Sequence, residues 1–216
     1  MDGTRRPNRK GERTLEPAIA AKLEALDARG LRRSMRVIEG RTPGRVQLAG
    51  RTLLDFSSND ALGLSHHPEL IARAAQWTER WGAGCGASRL LSGNIEPFAQ
   101  LEDRVRRLKH TEAALVLASG YQANVGLLAA LIRSGLFSRQ PIVFTDRFIH
   151  ASMHQGLAGI RQCRFAHNDL DRLEALLHRH AGGGTPALIV AETVYSMDGD
   201  RADVAGLADL AERFGA

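Results

Sequence analysis

A run of small and polar residues, Ser119-Gly120-Tyr121, has the sequence context of an anion-binding turn. It follows the apolar run 113–117, which predicts a buried strand over 112–117, and it precedes residues 125–132, which predict an apolar helix. A helix that begins at such a turn directs unpaired N–H groups and partial positive charge at whatever lies above it. The turn is therefore a candidate phosphate site, although an ordinary strand-to-helix turn would show the same pattern.

Two other predicted strands end near groups that could take part in chemistry. His150 follows the predicted strand 141–145, and Ser196 follows the predicted strand 187–192, which ends at Glu192. Ligands gather at the carboxyl ends of strands in an open parallel sheet, so polar groups at three such ends predict one shared site. An unpaired carboxylate is costly at the end of a buried strand, so Glu192 is expected to be paired or to lie in the site.

The histidines suggest no metal site. His150 and His154 have the spacing of two zinc ligands on a helix, but no Glu follows His150 and no third ligand suggests itself. The triplet His167-Asn168-Asp169 is interpreted as a helix start capped by Asp169 rather than as a catalytic pair.

The elements that must position these residues alternate along the chain. A helix is predicted over 15–29 and a β-hairpin over 45–56, and helices over 68–81 and 97–108 flank a Gly-rich loop at 82–93. The remaining strands are predicted over 112–117, 141–145, 162–166 and 187–192, and the helices between and after them over 121–134, 150–159, 169–180 and 203–214. This alternation predicts an α/β fold with a mostly parallel sheet flanked by helices.

The positive charge of the chain is concentrated in its first segment. Residues 1–36 carry an excess of five positive charges, which equals the net charge of +5 for the whole chain. A nucleic-acid-binding protein is expected to show its basic surface on the folded part, so this distribution argues against that class. No apolar run is long enough to span a membrane, and no apolar signal region is present. With only Cys85 and Cys163, the composition fits a reducing compartment, and we expect a cytoplasmic protein.

Four stretches around the turn carry family-specific motifs in a fixed order. They are residues 55–67, 82–93, 165–169 and 192–200, and they include Ser-Asn-Asp-x-Leu-Gly-Leu and Ser-Met-Asp-Gly-Asp. In this combination they resemble the α-oxoamine synthases, which are pyridoxal-phosphate enzymes that condense an amino acid with an acyl-CoA and release carbon dioxide. The resemblance runs from about residue 16 to the last residue. It implies a fold-type I, aspartate-aminotransferase-like large domain and a homodimer with Gly82–Gly93 near the subunit interface.

The resemblance also implies roles for the residues around the cofactor. It places the backbone amide of Tyr121 on the phosphate of pyridoxal 5'-phosphate, the ring of His150 against the pyridine ring, and Ser196 near the phenolic oxygen. His150 is the predicted catalytic residue, since it also lies close to the substrate. The predicted cofactor contacts are Ser119, Gly120, Tyr121, His150, Glu192 and Ser196.

Substrate contacts are implied at three further positions. Arg32 is expected to meet the acyl substrate, although Arg33 and Arg36 are close in sequence and a solvated basic face would explain it equally well. Asn59 and Ser92 belong to segments that the resemblance places near the substrate and the dimer interface. Ala61 stands where the family commonly has a tyrosine, which would widen the site or indicate another acyl chain.

The chain has no lysine in a position suited to a Schiff base with the cofactor. Its three lysines are Lys10 in the polar tail, Lys22 on a predicted helix and Lys109 at the end of another. We therefore expect the chain to be the N-terminal part of a longer enzyme. In that interpretation residues 1–14 are a disordered basic tail, residues 15–60 a helix and hairpin segment, and residues 61–216 the truncated cofactor-binding domain.

The reaction implied by the resemblance is a decarboxylative condensation of an amino acid, expected to be alanine, with an acyl-CoA. Another α-oxoamine synthase, making aminolevulinate, aminoketobutyrate, a sphingoid base or an acyl signal, fits the same motifs. A non-catalytic half-domain that binds a partner is the alternative from a different class, because the lysine is missing.

Overall fold

The computed structural model describes residues 15–180 and 183–216. The predicted tail at 1–14 lies outside the described residues. The described chain divides into two compact units, one ending at Gly86 and one from Ala87 to Ala216. This boundary falls later than the one at 60/61 expected from the sequence, and the expected division into family domains stays a prediction. No helix within the described ranges is long and apolar enough to cross a membrane.

The first unit contains two helices and a small antiparallel sheet. Its elements are α1 (Leu15–Ala28), β1 (Gly40–Thr42), β2 (Arg45–Leu48), β3 (Arg51–Leu54), a 3₁₀ turn (Leu64–His66) and α2 (Pro68–Trp81). The predicted hairpin is confirmed as the pair β2–β3, with Val46 opposite Leu53. Strand β1 was not predicted, because three residues are too short to show alternation. The signal that could have revealed it is the turn Pro43-Gly44, where Gly44 has a φ of 71° that favours glycine.

The second unit is an α/β layer structure built on a parallel sheet. Its elements are α3 (Glu96–Lys109), α4 (Gly120–Arg133), β4 (Ile142–Asp146), α5 (Ala151–Gly156), β5 (Gln162–Phe165), α6 (Leu170–His180), β6 (Ala187–Val190) and α7 (Val204–Phe214). The strand order is β5-β4-β6, and both pairings are parallel. The predicted helices and these three strands are confirmed with small differences at their ends, except that α5 is shorter than predicted.

Strand β4 lies at the centre of the core and is covered on both faces. Phe144 is fully buried on the face that packs against α6 and α7, with Leu173 and Leu210 among its neighbours. Val143 is fully buried on the opposite face, in a cluster that includes Leu128 of α4. A parallel strand buried on both faces explains why this segment is an apolar run without alternation.

The predicted strand at 112–117 is wrong. Among the described residues, no strand pairs with this segment, and the Leu115 side chain is 71% exposed. Side chains satisfy the backbone there instead: the Val116 N–H donates to Glu102 at 2.8 Å, and the Val116 carbonyl accepts from Arg89 at 2.8 Å. An apolar run predicts burial, but a strand also needs a partner.

Helix α5 approaches α4 closely at Gly156. A β-carbon at this position would lie 3.0 Å from the Leu128 β-carbon and 3.1 Å from the Asn124 carbonyl oxygen. Since one of these neighbours is backbone, the space cannot be opened by a side-chain rotation alone. The contact fixes the C-terminal end of α5 against α4, and His150 is the N-cap at the other end of this short helix.

Gly156→Ala is expected to lower the free energy of unfolding by about 1–3 kcal/mol, because the added methyl group overpacks this contact. Gly126→Ala is the matched control: Gly126 lies on α4, and a β-carbon there would have nothing within 4 Å. That control is expected to gain about 0.5–1 kcal/mol from helix propensity. Urea denaturation of both variants measures the difference, and a stabilised Gly156→Ala would contradict the close packing.

Candidate functional site

The start of α4 presents two unpaired backbone donors. The Ser119 hydroxyl accepts from the Gln122 amide at 3.1 Å, and the first intrahelical bond runs from the Ala123 amide to the Ser119 carbonyl at 2.9 Å. Within residues 15–180 and 183–216, this leaves the amides of Gly120 and Tyr121 without a backbone acceptor. The space beside the Gly120 α-carbon is open, with nothing within 4 Å of where a β-carbon would stand. An anion can therefore approach these amides.

His150 is held in one orientation by a short hydrogen-bonded chain. It is the N-cap of α5, and its Nδ1 accepts from the Ser152 amide at 3.1 Å and lies 2.6 Å from the Ser152 hydroxyl oxygen. Ser152 is fully buried, and its hydroxyl oxygen accepts from the Asn124 side-chain amide at 2.9 Å. The Ser152 hydroxyl is then the donor to Nδ1, so the neutral ring carries its hydrogen on Nε2.

Tyr121 and Glu192 lie next to His150. The rings of Tyr121 and His150 meet edge to face, with centroids 6.3 Å apart and an interplanar angle of 81°. The His150 amide donates to the Glu192 carboxylate, so this carboxylate, two residues after β6, is paired with the loop after β4. Three segments thus meet around His150: the start of α4, the start of α5 and the loop after β6.

A buried carboxylate, Asp146, anchors the loops at the end of β4. It is fully buried and accepts from the amides of Phe148 at 2.8 Å and Asn168 at 2.9 Å. Its oxygens also lie 3.0 and 3.1 Å from Nδ1 of His167. The arrangement compensates for the cost of burying a charge.

His167 connects Asp146 to Asp200. Its Nε2 lies 2.8 Å from Oδ2 of Asp200, so each ring nitrogen faces a carboxylate. The hydrogen bond to Asp146 raises the pKa of His167, and the Asp200 carboxylate adds to the rise. The ring is packed between Phe148, with centroids 4.6 Å apart, and Tyr195, at 4.4 Å.

Ser196 lies on a closed loop after β6. Val194 and Arg201 pair across the base of this loop, and the Tyr195 amide donates to the Asp200 carbonyl at 3.0 Å. Tyr195 is buried, and this burial raises the pKa of its hydroxyl to about 12. Ser196 itself is exposed at the turn.

The predicted substrate residues are distributed over the two units. Arg32 and Asn59 lie in the first unit, where both are exposed and Arg32 forms an ion pair with Asp27 at 2.6 Å. Ser92 lies in the second unit, exposed in the loop before Gly93. The structure describes each unit by itself, so these roles stay predictions.

Sequence reasoning missed the residues that support His150 and Ser196. Asp146 directly follows the predicted strand 141–145, so the strand-end rule that selected His150 and Glu192 could have selected it as well. The cap by Asp169 is confirmed, since its carboxylate accepts from the Arg172 amide at 2.8 Å, but that interpretation left His167 without a role. The described residues contain no group of three or more His, Cys, Asp or Glu positioned to hold a metal ion.

Comparisons with known proteins agree on one class. A family model described as aminotransferase class I and II matches residues 51–216. An 8-amino-7-oxononanoate synthase from Gluconacetobacter diazotrophicus is 54% identical over 205 residues, which cover 93% of this chain and 52% of that protein. The chain spans about half the length of the curated relatives it matches.

Solved structures show the same relationship. A Sphingomonas wittichii serine palmitoyltransferase matches with a TM-score of 0.80 and 30% identity, covering 94% of this chain and 50% of its own. A serine palmitoyltransferase from S. paucimobilis with bound PLP and myriocin matches with a TM-score of 0.80 and 27% identity, covering 94% of this chain and 51% of its own.

Ser152→Ala is expected to weaken the tautomer preference of His150, because the hydroxyl that donates to Nδ1 is removed and only the amide of residue 152 still donates to it. Long-range proton–nitrogen NMR of histidine-labelled protein should show Nδ1 unprotonated in the neutral wild-type ring and a mixture of tautomers in the variant. Ser134→Ala, at the exposed end of α4, is the control and should leave the His150 signals unchanged. A wild-type ring protonated on Nδ1 when neutral would contradict the assignment.

Proposed function

The chain belongs to the aminotransferase class I and II family, and from this membership we propose that it forms part of the active site of a pyridoxal-phosphate-dependent α-oxoamine synthase. The predicted resemblance and the predicted fold-type I architecture are confirmed by the relatives and the solved structures. Pyridoxal 5'-phosphate is the cofactor of this class. The observation that carries the proposal is the placement of the oriented His150 ring beside Tyr121 at the unpaired start of α4.

The described residues fit the phosphate and ring of this cofactor. A phosphate suits the free amides of Gly120 and Tyr121 and the open space beside them, because helix N-termini bind anions. The flat, hydrogen-bonded ring of His150 suits a pyridine ring, since aromatic faces favour stacking. The Ser119 hydroxyl already caps α4, so its contribution is to hold those amides in place.

When bound, the cofactor supplies an electron-poor ring that stabilises negative charge at the α-carbon of an amino acid. The amides of Gly120 and Tyr121 would bind the phosphate, and the oriented ring of His150 would hold the pyridine ring. Ser196, exposed on the loop after β6, would donate a hydrogen bond to the phenolic oxygen. Glu192 acts through the His150 amide, which it fixes in position.

The covalent lysine is proposed to lie outside this chain. Lys22 is exposed on α1 and Lys109 is exposed at the end of α3, so the charged groups of both lysines are solvated. The chain then supplies the phosphate and ring-binding part of the site, and the remaining length seen in the relatives supplies the lysine.

The substrates proposed are L-alanine and a pimeloyl-type acyl-CoA, as in biotin biosynthesis. Support comes from the 54% identity to a protein named 8-amino-7-oxononanoate synthase. Serine and a long-chain acyl-CoA are the second candidate, favoured by the likeness to serine palmitoyltransferases. Turnover of each pair by the full-length protein separates them. We further propose a cytoplasmic homodimer, with Arg32, Asn59 and Ser92 near the substrates.

His150→Ala is expected to weaken pyridoxal-phosphate binding and to lower turnover at least tenfold, about 1.4 kcal/mol, because the stacking ring is lost. Absorption titration with the cofactor and steady-state assays on the full-length protein measure both effects. His178→Ala, which removes an exposed ring on α6, is the control. Unchanged binding and turnover in His150→Ala would refute the assigned role.

Borohydride reduction of the cofactor-loaded protein is expected to leave Lys22 and Lys109 unlabelled, because both are exposed, solvated charges on helices. Peptide mass spectrometry locates the pyridoxyl group. A stoichiometric label on either lysine would contradict the proposal that the covalent lysine lies elsewhere.

A further inference from the structure

The imidazole of His167 lies between two carboxylates, and this geometry favours protonation of both ring nitrogens. Nδ1 is 3.0 Å from Oδ1 of Asp146, and Nε2 is 2.8 Å from Oδ2 of Asp200. An ionised carboxylate can only accept, so both contacts are hydrogen bonds only when both ring nitrogens carry hydrogen. When both carboxylates are ionised, this geometry favours an imidazolium, and we refer to the Asp146–His167–Asp200 arrangement as the His167 bridge.

The bridge joins two loops of different strands. Asp146 is the last residue of β4 and also binds the Phe148 amide, so it fixes the segment that leads to His150. Asp200 closes the loop that carries Ser196, since its carbonyl accepts from the Tyr195 amide. His167, two residues after β5, thus ties the end of β4 to the Ser196 loop.

The Asp200 carboxylate depends on this contact. Its Oδ2 accepts from His167 and from the Asn168 side-chain amide at 2.6 Å, whereas its Oδ1 is buried with no hydrogen-bond partner in the described part of the chain. Without His167, the partly buried Asp200 carboxylate would lose its charged hydrogen-bond donor. Because an undersolvated carboxylate is costly, the Ser196 loop would then move toward water.

We propose that His167 is a positioning residue that, as an imidazolium between Asp146 and Asp200, holds the Ser196 loop in the geometry that binds the cofactor. The proposal rests on the proposed function, because it assigns to Ser196 a contact with pyridoxal phosphate. His167 acts through the loop and touches neither cofactor nor substrate.

The charged groups that face His167 all shift its pKa in the same direction. They are the carboxylates of Asp146 from β4 and Asp200 from the loop after β6, together with the neutral hydroxyl of Tyr195 and the ring of Phe148. Both carboxylates favour the charged ring, which raises the pKa of His167 above its ordinary value of about 6.5. The bridge is complete below that ordinary value and is lost as the pH rises through the raised pKa.

The test is a double-mutant cycle on cofactor affinity in the full-length protein. Ser196→Ala and His167→Gln are each expected to weaken pyridoxal-phosphate binding at least fivefold. In the His167→Gln background, Ser196→Ala should have almost no further effect, because the loop is already displaced. His178→Gln, an exposed histidine on α6, is the control and should match wild type. Additive effects of Ser196→Ala and His167→Gln, or a His167→Gln affinity equal to wild type, would overturn the proposal.

A second measurement applies even if His167→Gln fails to fold. Proton–nitrogen NMR of the wild-type protein should show both His167 nitrogens predominantly protonated at pH 6.5, with cofactor affinity falling as the pH rises through the titration of that ring. A His167 ring that is neutral at pH 6.5 would refute the bridge. Absence of any cofactor binding by wild-type protein would instead refute the proposed function, and the NMR titration would still decide the state of the bridge.

Discussion

One buried carboxylate holds the loops of the candidate site together. Asp146 has no exposed surface, and a carboxylate in that position is tolerated only when donors surround it. Its donors come from the loop after β4, through Phe148, and from the loop after β5, through Asn168 and His167. Because His167 also binds Asp200, a single charge fixes the segments that follow all three strands of the sheet.

This anchoring explains how an exposed histidine and serine can have defined positions. Ser196 lies at the surface, but Tyr195 beside it is buried against His167. His150 is exposed, but its ring is fixed by the buried Ser152 and its amide by Glu192. The rigid contacts lie one residue or more away from the groups proposed to meet the cofactor, and those groups remain accessible at the edge of the sheet.

The sequence predicted local features well and long-range contacts poorly. Helix α2 has the predicted bounds because Pro68 sets its first turn, and β4 was found because a strand buried on both faces is apolar throughout. Residues 112–117 show the limit, since a strand depends on a neighbour that the local pattern cannot reveal. The network of Asp146, His167 and Asp200 joins residues far apart in sequence. Local sequence patterns therefore cannot predict these hydrogen bonds, which only the folded structure shows.

A crystal structure of the full-length protein with pyridoxal phosphate would test the central claim most directly. The account predicts phosphate oxygens within about 3 Å of the amide nitrogens of Gly120 and Tyr121, with the pyridine ring stacked on His150 and His167 still between Asp146 and Asp200. A cofactor bound away from the start of α4, or stacked on a residue other than His150, would contradict it.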